Sequence, residues 1–160
     1  MAWNPLTIRS GALIIDANVA IAVCAKENQK HSQAQTELQN YSGQGYLWYA
    51  PGVIVSETLH GFCRKEQERL ITPQEYAQAV NDFQVFMQSV SPPPNGDASL
   101  ILRADQIRAG YGCSRSADAL YIALAEELSS TFITHLLTFD QDLPKQVARH
   151  ALTVNVHLLT

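Results

Sequence analysis

The sequence has few cysteines, and it lacks the motifs that indicate several common enzyme chemistries. Its 3 cysteines among 160 residues are widely spaced and form no CxxC pair, which argues against a disulfide framework or a zinc knuckle. The 5 histidines show no HExxH or other ligand spacing, and there is no GxSxG elbow, no P-loop and no complete dinucleotide fingerprint. The sequence therefore gives no support to histidine- or cysteine-bound zinc, a serine nucleophile or a glycine-rich phosphate loop.

Long apolar runs are also missing. No run approaches the length of a membrane span, and residues 1–11 lack the apolar core of a signal peptide. There is no internal repeat and no low-complexity segment. Unpaired cysteines fit a reducing compartment, so we expect a cytoplasmic protein with no membrane partner.

The bulk composition is that of a globular protein. Apolar residues make up 46 % of the chain and charged residues only 16 %, which excludes a disordered chain. A length of 160 residues favours one domain spanning residues 1–160 with a sizeable core. The net charge of −4 excludes a general polyanion binder, so nucleic-acid binding would need a local basic rim or a metal ion.

The stretch Ala12–Ala20 organises the chain. A short apolar run leads directly into Asp16 and predicts a strand buried on both faces, followed by a helix. In an open parallel sheet, ligands bind outside the carboxyl ends of the strands, which is where Asp16 would lie. The alternative is that Asp16 only caps the following helix.

Strands and helices alternate along the rest of the chain, which predicts an α/β fold with a mainly parallel sheet between two helical layers. Thr72 is expected to cap a helix with Glu75 at its third position, and Asp97 and Ser116 are expected to cap two more. Ile101 is expected to face inward. The first predicted strand ends just before Asp16. The other predicted strands cover 46–50, a short segment at Val90, a segment within 132–139, and 152–156. The predicted helices cover 18–25, 27–39, a segment from Val53, 73–88, 97–109, 117–128 and 143–150.

Four acidic residues recur at the ends of these elements. Asp16 and Asp140 directly follow predicted strands, and Glu57 and Asp118 lie in the first turns of helices. Taken singly, an acid near a helix N-terminus stabilises the helix dipole by about 0.3–1 kcal/mol. If the strand order were 3-2-1-4-5, however, strands 1 and 4 would be neighbours and their acids would face each other. Clustered carboxylates repel by about 1 kcal/mol per pair even in bulk water, and an all-oxygen cluster favours Mg²⁺ or Mn²⁺ as the neutralising ion.

Four segments resemble, in order and spacing, the signature of PIN domains, and the likeness is closest to the VapC-type ribonuclease toxins of bacterial toxin–antitoxin pairs. The resemblance runs from about Leu13 to Val156. The family's four acidic positions correspond to Asp16, Glu57, Asp118 and Asp140, and its small polar positions to Asn18 and Thr138. The segments that carry it are LIIDANVAIAV, the stretch Val53-Ile54-Val55-Ser56-Glu57, SADALYIALAEEL and LLTFDQDL.

The resemblance implies metal-dependent hydrolysis of single-stranded RNA by an endoribonuclease with bound Mg²⁺ or Mn²⁺. Asp16, Asp118 and Asp140 would bind the metal, while Glu57 would bind it through water or accept a proton. The remaining site residues are expected in supporting positions: Asn18 and Thr138 orient a carboxylate or water, Asp142 substitutes for or assists Asp140, and Arg115 contacts phosphate.

The same resemblance implies a cognate antitoxin and a homodimer. Two departures from the family pattern stand out: the segment 92–96, and a long polar passage into the fourth strand that leaves its register open. Two alternatives to a nuclease remain. The first is a catalytically silent scaffold whose acidic pocket receives RNA or a basic partner segment. The second is a phosphoryl-accepting domain, which would need a lysine better placed than Lys145.

Overall fold

The computed structural model describes residues 10–151 and 153–160. Its central sheet has five parallel strands in the order β3-β2-β1-β4-β5, which confirms the predicted order 3-2-1-4-5. The strands are β1 (Gly11–Ile15), β2 (Leu47–Tyr49), β3 (Val90–Ser91), β4 (Ile133–Thr138) and β5 (Asn155–Leu158).

Helices lie on both faces of this sheet, as the three-layer prediction requires. The alternating side chains of β1 divide between the two layers. Ala12 and Ile14 pack into the larger apolar core, whereas Leu13 and Ile15 pack into the smaller one. The helices are α1 (Ala17–Cys24), α2 (Asn28–Gly43), α3 (Val53–Gln67), α4 (Pro73–Met87), α5 (Ile101–Arg108), α6 (Ser116–Ser129) and α7 (Leu143–His150).

Strands β1 and β4 form the centre of the sheet and end side by side. Ile15 pairs with Leu137, and the Asp16 N–H donates to the Leu137 carbonyl at 3.1 Å. This register, which the sequence left open, places Asp16 beside Thr138 at the carboxyl edge. It is the switch point of the sheet, because the connections from β1 and β4 leave in opposite lateral directions.

Of the three helix caps predicted from the sequence, one is present in the structure and two are not. Thr72 and Glu75 form the predicted capping box at the start of α4. Ser116, in contrast, is the first residue of α6, and its hydroxyl donates to the Cys113 carbonyl instead of capping the helix. Asp97 begins a short 3-10 turn, and its carboxylate accepts the Gly52 N–H at the start of α3.

Three further expectations differ from the structure. Helix α2 continues to Gly43, beyond its predicted end at Gln39. Strand β5 covers Asn155–Leu158 instead of 152–156, and residue 152 lies outside the described residues. Ile101 is 59 % exposed, because the preceding 3-10 turn rotates the helix so that Leu100, Ala104 and Ile107 face the core.

Within residues 10–151 and 153–160, none of the helices combines the length and the apolar character needed to cross a bilayer.

Candidate active site

Asp16 is a buried carboxylate at the carboxyl end of β1. Its side chain is only 6 % exposed and makes no capping hydrogen bond to α1, so helix capping does not explain its presence. One carboxylate oxygen, Oδ2, accepts the Thr138 hydroxyl at 2.7 Å and the Asn18 amide at 3.0 Å. Two neutral donors therefore hold this carboxylate in a fixed orientation.

Asn18 and Thr138 also join the ends of the two central strands. The Asn18 amide nitrogen lies 3.1 Å from the Thr138 hydroxyl oxygen, and the amide oxygen accepts the Phe139 N–H at 3.1 Å. The Thr138 hydroxyl in turn accepts the Asp140 N–H at 2.9 Å. The two small polar residues thus bridge Asp16 to the segment that carries Asp140.

Glu57 and Asp118 approach the same edge from α3 and α6. The Tyr121 hydroxyl donates to Glu57 Oε1 at 2.8 Å. The carboxylate of Asp118 accepts from Arg115 at 3.0 Å and from the Gln146 amide at 3.4 Å. Each acid therefore has a neutral partner from a neighbouring element.

The charges of these acids are coupled. Burial raises the pKa of Asp16 to about 7; the Thr138 hydrogen bond opposes that rise, and the charges of Asp118 and Glu57 add to it. Burial likewise raises the pKa of Glu57, opposed by the Tyr121 hydrogen bond and increased by Asp118. The charge of Asp118 acts on both Asp16 and Glu57, and the charge of Glu57 acts on Asp16, so the three acids are electrostatically linked.

Asp140 and Asp142 lie at the same edge of the sheet and both contact Arg115. We call this group of carboxylates the acidic edge; its members are Asp16, Glu57, Asp118, Asp140 and Asp142. One guanidinium nitrogen, Nη1, lies 3.0 Å from Asp118 and 3.3 Å from Asp140, and the other, Nη2, lies 3.2 Å from Asp142. Hydrogen bonding to Asp118 raises the pKa of Arg115. The hydrogen bond and positive charge of Lys145 lower the pKa of Asp142, and Arg115 lowers it by a smaller amount. Arg115, which was expected to contact phosphate, therefore pairs with three of these acids in the structure.

The donor set fits a hard cation. The site offers carboxylate oxygens, which Mg²⁺ and Mn²⁺ prefer. Arg115 is paired with Asp118 and Asp140, but no basic side chain in the described ranges pairs with Asp16 or Glu57. Burial, and after it the charge of Asp118, raises the pKa values of both acids. In the same part of the chain, however, no three acidic, histidine or cysteine side chains are gathered closely enough to form a ligand group.

Sequence reasoning missed two residues of this site. Tyr121 is 1 % exposed, and its spacing of three residues from Asp118 on one helix was the available signal. Gln146 is equally buried, and its amide oxygen has no hydrogen-bond partner among the described residues. Nothing in the local sequence of α7 distinguishes it.

The fold and the acidic edge define a class: a doubly wound parallel α/β domain with carboxylates at its switch point. The chain belongs to the PIN domain family, whose model matches residues 13–149. No curated protein sequence matches it.

Two solved structures share the fold. The first is VapBC2 from Rickettsia felis bound to a DNA fragment from their promoter, with a TM-score of 0.63, 10 % identity and coverage of 92 % of this chain and 98 % of that chain. The second is PAE2754 from Pyrobaculum aerophilum, with a TM-score of 0.50, 14 % identity and coverage of 97 % and 92 %. The family resemblance and the predicted fold class are therefore confirmed.

Proposed function

We propose that this protein is a Mg²⁺- or Mn²⁺-dependent endoribonuclease that cleaves single-stranded RNA, and that it is the toxin of a type II toxin–antitoxin pair. Membership of the PIN family supports a nuclease. The observation that carries the proposal is the convergence of Asp16, Glu57, Asp118 and Asp140 at the carboxyl ends of β1 and β4.

In this proposal Asp16, Asp118 and Asp140 hold the metal. When bound, the cation activates water and neutralises the charge that develops on the phosphate and its leaving oxygen. Asn18 and Thr138 hold Asp16 through its Oδ2 atom, which leaves Oδ1 free of side-chain donors among the described residues. Asp142 assists by fixing the turn after β4, where its N–H donates to Asp140 Oδ1 at 2.8 Å.

Glu57 is the proton acceptor in this mechanism. Its raised pKa brings the carboxylate closer to the range where it can take a proton near neutral pH. Tyr121 engages Oε1, so the proton is received at Oε2. The tyrosine hydroxyl thereby orients the base without occupying both of its oxygens.

The net charge of −4 and the acidic edge repel RNA. Arg115 would contribute positive charge that admits a phosphate, beside the charge of a cation held by Asp16, Asp118 and Asp140. We further propose that the chain acts in the cytoplasm as a single domain, that it forms a homodimer, and that a cognate antitoxin blocks the acidic site.

The direct test is cleavage of a mixed pool of single-stranded RNA with Mg²⁺, Mn²⁺ or EDTA. We expect cleavage with either metal, none with EDTA, and a loss of at least about 100-fold in D16N and D118N, in the range seen when a positioned catalytic group is removed. D105N is the matched control, because Asp105 is an exposed acid on α5 whose side chain pairs, among the residues the structure describes, only with Arg108. Cleavage that persists in EDTA, or in folded D118N, would contradict the proposal.

One observation favours a second candidate function. Arg115 already lies among three carboxylates, so the acidic edge accepts a guanidinium group. A silent scaffold that binds an arginine-rich partner segment would use the same geometry. Tight binding of an arginine-rich peptide by a folded wild-type protein that cleaves no RNA with any metal would support this alternative over the nuclease.

A further inference from the structure

We infer that Arg115 is an internal counter-cation that competes with a divalent metal for Asp118 and Asp140, and that Asp142 retains its guanidinium group beside the site. The inference rests on the proposed function, because it concerns the metal that the nuclease would bind. It assigns Arg115 a positioning role in addition to the phosphate contact expected from the sequence.

The contacts of the guanidinium group are divided between two kinds of acid. Nη1 contacts Oδ2 of both Asp118 and Asp140, at 3.0 and 3.3 Å, and thereby engages one oxygen of each acid assigned to the metal. Nη2 contacts Asp142 Oδ2 at 3.2 Å. Asp142 is not among the three acids assigned to the metal, so one nitrogen faces the metal ligands and the other faces an outer acid.

Competition follows from the shared oxygen atoms. A cation bound by Asp118 and Asp140 draws on the same negative charge that holds Nη1. A guanidinium group left in place would repel that cation at short range. Binding the metal therefore requires Arg115 to move away from these two acids, and without metal Arg115 offsets part of their charge.

Asp142 keeps the displaced arginine close to the site. It lies in the turn after β4, where its N–H is fixed by Asp140 Oδ1, and its carboxylate also pairs with Lys145. The contact with Nη2 does not involve either acid that binds the metal. Arg115 can therefore stay at the edge, where an approaching phosphate would replace the acids as its partner.

Mn²⁺ binding measured by electron paramagnetic resonance, without RNA, tests this inference independently of activity. We expect R115Q to bind Mn²⁺ about 5- to 150-fold more tightly than wild type, the usual range for two coupled binding events, and R115K to lie between them. R108Q is the control, because Arg108 is a nearby arginine whose partner, Asp105, lies outside the acidic edge. R108Q should bind Mn²⁺ as wild type does.

The role of Asp142 is tested in the R115Q background, where there is no guanidinium group to retain. We expect R115Q/D142N to bind Mn²⁺ as tightly as R115Q. A tenfold loss would show that Asp142 is a metal ligand and would overturn its assigned role.

The outcomes separate the inference from the nuclease proposal. Weaker or unchanged Mn²⁺ binding in folded R115Q, or no binding in either protein, overturns the competition. If R115Q binds Mn²⁺ more tightly but the wild type cleaves no RNA, the competition stands and the nuclease proposal fails. Circular dichroism of each variant establishes that it is folded.

Discussion

A single buried carboxylate, that of Asp16, makes the stability of the protein depend on pH. Its folded-state pKa of about 7 lies above the ordinary value of 3.8. Between these values the folded protein binds the proton more readily than the unfolded chain. The contribution of Asp16 to stability is therefore fully present below about pH 4 and is lost as the pH rises towards 7.

We predict that D16N is more stable than wild type at pH 8 in the presence of EDTA. The difference between 7 and 3.8, at about 1.4 kcal/mol per pKa unit, sets an upper bound of about 4 kcal/mol. The gain should shrink to nothing near pH 4, as measured by urea unfolding across this range. A difference that does not change with pH would contradict the assigned cause.

We predict that T138V destabilises the protein more than T134V at pH 8. Both threonines are buried in β4, but within the described part of the chain the Thr134 hydroxyl bonds only with the Phe132 carbonyl. The Thr138 hydroxyl donates to a buried carboxylate and accepts a backbone N–H. The excess cost in urea unfolding should be about 1–3 kcal/mol, the penalty for leaving a buried polar group without its partner. Equal costs would mean that the contact with Asp16 contributes nothing.

The meeting of Asp16 and Asp140 at one edge was predictable, because parallel strands end at the same edge and residues that follow them must meet there. Asn18 and Thr138 were expected only from the family resemblance. The contacts of Arg115, Tyr121 and Gln146 were not predictable. Their direction depends on how α6 and α7 are rotated against the sheet. Local sequence does not determine that rotation.

At the scale of one element, α4 offers a direct test of helix capping. We predict that T72A destabilises the protein by about 1 kcal/mol, because it removes the hydroxyl that accepts the Glu75 N–H in the capping box. T36A is the control, since Thr36 is an exposed residue within α2, where alanine favours the helix. If thermal unfolding shows the same change in both variants, the capping box does not stabilise α4.

Strand β4 and helix α2 meet in an aromatic cluster on the opposite face of β1 from Ile14. His135 packs against the rings of Tyr41 and Tyr46, with centroid distances of 5.5 and 5.7 Å, and these two rings contact each other at 4.9 Å. Burial, followed by the charge of His157, lowers the pKa of His135. The neutral ring therefore favours the folded state, and this contribution is lost as the pH falls below the ordinary value of 6.5.

We predict that H135Q is less sensitive than wild type to acid between pH 7.5 and about pH 5, because glutamine does not titrate. Urea unfolding at several pH values measures the slope of stability against pH. H60Q is the control, since His60 is an exposed histidine on α3. A slope in H135Q equal to that of wild type would contradict the prediction.

The helix boundaries show which caps a local sequence pattern can predict and which it cannot. Thr72 caps α4 as its sequence predicts because both partners lie within one turn. Ser116 and Asp97 also look like caps, but each hydroxyl or carboxylate finds a backbone partner outside its own helix. Those partners are brought near by the chain fold, so the sequence alone could not separate the three cases.

At the scale of the whole molecule, the acidic edge opposes folding unless a cation compensates it. We predict that Mg²⁺ at about 100 times its dissociation constant stabilises wild type by about 2.7 kcal/mol. For a chain of this size that corresponds to a rise in Tm of about 5–10 °C. The rise should be lost in D118N and kept in D105N, as differential scanning fluorimetry would show. An equal rise in D118N would mean that Mg²⁺ binds elsewhere.

The global topology was more predictable than any local contact. Alternating strands and helices demand crossover connections, which leave few arrangements for five parallel strands. The order 3-2-1-4-5, in which the acids after strands 1 and 4 face each other, is the order that the structure has. The exact extent of β5 was missed because its four residues, only partly buried, lack a strong apolar pattern.

The short edge strand β3 decides how this sheet can meet another molecule. Within β3, the residues that pair with β2 are Val90 and Ser91, and Pro92, Pro93 and Pro94 follow at once. Proline has no N–H to donate, so the chain beyond β3 offers little to an incoming strand. The segment 92–96, which has no counterpart in the family pattern, thus closes this side to fibril-like growth.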